Sequence, residues 1–100
     1  MTSVEVQKIN KTWDYEEGFL GNLRQGKFNQ ELYTEFYTLL LSLRDNEDES
    51  FSREIVSALW FIPVLMERQK EIVCKHYPID KYFKHQEDVI DAIAGILGYP

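Results

Sequence analysis

Between positions 29 and 43 the apolar residues keep to one spacing. Leu32, Phe36, Leu39, Leu40 and Leu43 each stand three or four residues from another of the set, which lines one face of an α-helix. Asn29 stands where an N-cap belongs, and Phe28 is placed to staple onto Tyr33. Glu31 and Glu35 fall off the stripe and are expected to face water. A chain that commits this segment to a one-faced helix needs other apolar helix faces to cover it.

The rest of the chain supplies them. Thr12 is a plausible N-cap for an earlier helix with Tyr15, Phe19 and Leu23 on one face and Gly26 as the residue that ends it. Gly18 and Gly21 weaken that helix or let another backbone approach closely. After a polar stretch at 44–50, Ser50 or Ser52 can cap a third helix running toward Tyr77. Residues 55–66 are apolar almost all round, so this is the expected central element, with Trp60 in the core. Pro63 removes a backbone donor there, so a kink or break is expected near it. Asp80 can cap a last helix over 81–97 with Phe83, Val89, Ile90, Ile93, Ile96 and Leu97 as its stripe, and Gly98 ends it. Phe19, Phe36, Phe61 and Phe83 are read as core. Trp13, Tyr15, Tyr33, Tyr37, Tyr77 and Tyr82 flank the stripes and are read as partly exposed.

The expected fold is therefore all-α, a compact bundle of four to five helices in a single domain over 1–100. Residues 1–11 form a poorly defined arm or a short edge strand through Val4 and Val6. No βαβ alternation or hairpin signal competes with this reading.

Charge narrows the function classes. The chain has 17 Asp and Glu against 11 Lys and Arg, a net charge of −6. Phosphate binding needs a basic footprint, so direct nucleic-acid binding is not expected. The longest apolar run is far below the about 20 residues of a membrane helix, and the opening residues carry no secretion-signal core, so a cytoplasmic protein is expected. One cysteine, Cys74, cannot form an internal disulfide.

Catalytic furniture is missing. His76 and His85 stand nine apart with Pro78 between them, which is not the spacing of a metal pair on one helix face. Cys74 with either histidine lies in no nucleophile motif, and Gly18 and Gly21 lack the Lys-Ser/Thr of a phosphate loop. No enzyme, metal or cofactor is expected. What remains is clustered acid: Asp45, Glu47, Asp48 and Glu49; Asp14, Glu16 and Glu17; and Glu87, Asp88 and Asp91. Exposed tyrosine beside carboxylates, as at Tyr15, makes a good interface anchor. Charge reasoning makes these residues the candidates for binding a basic partner, against the plainer reading of a solvated surface.

The stretch Trp13-Asp14-Tyr15-Glu16-Glu17-Gly18-Phe19-Leu20-Gly21-Asn22-Leu23-Arg24-Gln25-Gly26-Lys27-Phe28-Asn29, with Leu59-Trp60-Phe61-Ile62-Pro63, resembles small helical immunity proteins of bacterial toxin–immunity systems, including those of contact-dependent growth inhibition. The resemblance covers about the middle two thirds of the chain, and its matching residues are largely structural. It implies a cytosolic antitoxin that binds a cognate toxin domain, often a nuclease, and blocks it. It carries over no catalytic residues and no particular binding surface. A helical adaptor docking another intracellular protein is the alternative, and a small enzyme with an unrecognised site comes third.

Overall fold

The computed structural model describes residues 3–44 and 53–97, and these form five helices: α1 (Ser3–Lys11), α2 (Phe19–Arg24), α3 (Gln30–Arg44), α4 (Arg53–Val73) and α5 (Ile79–Leu97). No strand occurs among the described residues, so the all-α expectation holds.

Local signals set several boundaries as read. The Asn29 side chain accepts the N–H of Leu32 at 3.1 Å, capping α3, and the rings of Phe28 and Tyr33 meet at 5.4 Å. Helix α2 ends in a Schellman motif. Gly26, at φ +79°, donates to the Leu23 carbonyl and Lys27 to that of Asn22.

Other boundaries differ. The residues expected as an N-terminal arm or strand include helix α1, which packs through buried Ile9. Thr12 is not an N-cap: it closes the end of α1, its hydroxyl donating to the Ile9 carbonyl. The next helix begins only at Phe19, so Tyr15 does not share its face. Helix α4 ends at Val73, short of Tyr77, and runs without a break through Pro63, because packing along both flanks outweighs one missing hydrogen bond. Asp80 lies inside α5, whose first turn closes on the Pro78 carbonyl. The proposed caps at Ser50 and Ser52, and the stop at Gly98, lie outside the described residues.

Helices α3, α4 and α5 run up, down and up. Facing residues place α3 parallel to α5 (Gln30 near Tyr77, Tyr33 near His85) and α4 antiparallel to it (Lys70 near Phe83, Glu67 near Gln86). Helix α2 crosses the far flank of α4, where the Gln69 amide donates to the carbonyls of Leu23 and Arg24 at 3.0 and 3.1 Å. The radius of gyration, 13.1 Å, is that of a well-packed chain of this length.

The core corrects the expected burial. Leu20, Leu23, Leu40, Leu43, Ile55, Leu59, Ile62, Met66 and Val89 are buried around Phe19 and Phe36. Trp60, expected at the centre, is 65% exposed, and Phe83 and Ile90 also face outward. Tyr33 and Tyr82, read as edge residues, are buried. The reason is angular. Neighbours on a helix point about 100° apart, and in α5 the side turned to the core is that of Tyr82, Val89 and Ala92.

Candidate partner-binding surface

Residues 12–25 fold on themselves through backbone and amide groups. The Thr12 carbonyl accepts the N–H groups of Leu20 and Gly21 at 2.9 and 3.2 Å. The Asp14 carboxylate accepts those of Glu16 and Glu17 at 3.1 and 2.8 Å. The Asn22 side chain donates to the carbonyls of Glu16 and Gly18 at 2.9 and 3.0 Å, and that of Gln25 to the carbonyls of Tyr15 and Gly21. Helix α2 comes so close to the loop that a Cβ on Gly21 would overlap the Asp14 carbonyl.

This network holds the loop between α1 and α2 from within and leaves its outward side chains uncommitted. Tyr15 is 66% exposed, and Glu16 and Glu17 are exposed beside it. Neither glutamate forms an ion pair among the described residues. Asp14 serves the loop differently, since its carboxylate, though exposed, is engaged by two backbone donors.

One flank of the loop is a cation–aromatic ladder. The Arg24 guanidinium lies 5.0 Å from the Trp13 ring, Trp13 lies 6.0 Å from Phe61, and Arg68 lies 5.9 Å from Phe61. Phe61 and Arg68 stand two turns apart on α4, and only the tertiary structure unites them with Trp13 and Arg24. On the other flank a groove of about 360 Å³ opens between α1 and α3, floored by Phe19, Phe36 and Leu39 and edged by Lys8, Lys11, Glu17 and Glu35. Its mixed rim does not extend the acid character of the loop.

The remaining candidate acids stand apart. Asp88 is half-buried on α5 and accepts a hydrogen bond from Lys84 at 2.9 Å, which raises the lysine pKa. Glu87 and Asp91 are exposed on the same helix. No hydrogen bond or ion pair among the described residues joins this group to the loop at 14–17. Asp45, Glu47, Asp48 and Glu49 lie outside the described residues.

Titratable groups elsewhere are tied into packing. His85 stacks on Phe28 at 5.4 Å, and its Nε2 meets the Tyr77 hydroxyl at 3.1 Å. Burial holds its pKa below the ordinary value. Burial also raises the pKa of the half-buried Cys74 thiol. Among the described residues no three His, Cys, Asp or Glu side chains gather as metal ligands, and no helix is long and apolar enough to cross a membrane. Comparison with known proteins finds no match among protein families, curated proteins or solved structures.

Proposed function

We propose that this chain is an immunity protein that binds a basic toxin domain of nuclease type and blocks its substrate groove. The observation that carries the reading is the loop at 14–17, locked by hydrogen bonds yet presenting Tyr15, Glu16 and Glu17 outward. A preorganised loop loses little conformational freedom on docking. An exposed tyrosine offers a rigid anchor, and the adjoining carboxylates attract a cleft built to hold a polyanion. The net charge of −6 lends the same attraction at longer range.

The test is co-expression with the product of the adjacent upstream reading frame, scoring growth rescue and co-purification. Tyr15→Ala is expected to weaken the complex about 10- to 30-fold, the effect of losing an interface anchor. Replacing Glu16 and Glu17 with glutamine slows association and flattens its salt dependence. Rescue and affinity untouched by these changes would move the binding surface to the acids at 45–49 or to Glu87 and Asp91. Absence of both rescue and co-purification would end the immunity reading.

A further inference from the structure

The outer face of α4 carries a pattern of which its own fold engages only Glu67, bonded by Lys70 and by Gln86 of α5. Read along the exposed side it runs Arg53, Val56, Trp60, Val64, Glu67 and Glu71, each three or four residues from the last. Its ends are charged with opposite signs and its middle is apolar. Trp60 is 65% exposed there. Beside it, Pro63 and Val64 form a shallow groove with Ile90 of α5, bounded by Glu67, Arg68 and Gln86. The apolar surface continues along α5 through Ile90, Phe83 and Ile79, which are 42%, 44% and 49% exposed.

We infer that this face is the contact between two copies of the chain, with the two α4 helices packed antiparallel about a two-fold axis. Charge complementarity favours a second copy over other occupants. Arg53 and Glu71 are about 27 Å apart along the helix, at 1.5 Å per residue, and Trp60 and Val64 straddle the midpoint. Antiparallel pairing sets Arg53 of each copy against Glu71 of the other, and Trp60 of each against Val64 and the groove beside it. Such a surface, with projecting residue and recess on one patch, is self-complementary as an isologous contact requires.

Three further observations agree. Arg53 sits in the first turn of α4 and Glu71 near its last, the ends where the helix dipole disfavours those charges, so neither is placed to help its own helix. The face carries no excess of acid despite the net −6 of the chain, since three cations, Arg53, Arg68 and Lys70, stand with two anions, Glu67 and Glu71. Trp60, Phe83, Ile79 and Ile90 are each more than 40% exposed, an apolar face with no covering partner among the described residues. Large apolar side chains gathered on one face are what the core of a protein–protein interface is made of.

Sedimentation equilibrium of the purified full chain, from low to hundreds of micromolar, is the test. Twice the chain mass is expected at the upper end. Trp60→Ala should raise the dissociation constant about 30-fold or more. Arg53→Glu and Glu71→Arg should each weaken the dimer, while both relieve the dipole conflict, so a weakened dimer with a melting temperature held or raised excludes misfolding as the cause. Combining them should restore the dimer, because the pair is then exchanged rather than broken. A single-chain mass throughout, a dimer indifferent to Trp60→Ala, or a double variant no better than either single one would each overturn the inference.

Discussion

The Tyr82 hydroxyl donates to the Met66 carbonyl at 2.6 Å, joining α5 to α4 inside the core. Tyr82 is fully buried, and desolvation of its phenol pushes the pKa well above the ordinary value. One aromatic ring thus fills the space between two helices while its polar end is satisfied by backbone.

Two substitutions separate those roles. Tyr82→Phe removes the hydrogen bond and keeps the ring, and is expected to cost about 1 kcal/mol. Tyr82→Ala also leaves a cavity, and is expected to cost about 3–5 kcal/mol. Urea denaturation with a common slope measures both; a Tyr82→Phe variant as stable as the parent would mean the hydroxyl contributes nothing, and equal losses that the ring contributes nothing.

Leu59 and Trp60 are neighbours with opposite fates, one buried and one exposed. At concentrations where the chain is a monomer, Leu59→Ala is expected to cost about 2–5 kcal/mol and Trp60→Ala within about 0.5 kcal/mol. Thermal melts of the two variants check the burial assignment, which fails if the order reverses.

Gly21 sits where helix α2 presses on the carbonyl of Asp14 and the backbone of Tyr15. Neither obstacle is a side chain that can swing away. Gly21→Ala therefore has to displace the loop, and a destabilisation of about 1–3 kcal/mol is expected, the range for overpacking. Amide hydrogen exchange should show faster exchange at residues 16–22, where the loop hydrogen bonds are lost. An alanine variant as stable and as protected as the parent would show that the close approach is not required.

His85 sets the pH response in the mildly acid range. It is enclosed by Phe28 and by Tyr33 of α3 and Tyr77, and on its own helix Asp88 favours its charged form while Lys81 and Lys84 oppose it. Burial is the largest influence, and the folded pKa lies below the ordinary 6.5. The unfolded chain then binds the proton more readily, so the neutral histidine's contribution is complete above 6.5 and is lost as pH falls below it. Glu67 acts lower. Hydrogen bonds from Lys70 and Gln86 depress its pKa below 4.5, so its contribution is lost only as pH falls under that value. The melting temperature is expected to decline between pH 7 and about pH 5, and His85→Gln to flatten that decline. An identical slope in the variant would assign the effect to other groups.

How far the sequence was legible depended on the range of the interactions involved. Helix α3, the Asn29 cap, the Phe28–Tyr33 staple and the turn at Gly26 each rest on residues within five positions of one another, so spacing alone determined them. The clustering of acid near Tyr15 was equally plain. Its presentation was not, because the bonds from Asn22 and Gln25 that hold the loop depend on α2 starting at Phe19 rather than at Thr12. On α4 and α5 the sequence determined only that the helices are apolar. Where apolar residues come in adjacent pairs, as in Leu59–Trp60, Tyr82–Phe83 and Val89–Ile90, the helical pattern admits either member to the core. The choice fell to tertiary packing. Leu59, Tyr82 and Val89 are the members that are buried, and with Tyr82 the polar end also finds the Met66 carbonyl. That decision left Trp60, Phe83 and Ile90 on the outside, where only the three-dimensional arrangement reveals them as one surface.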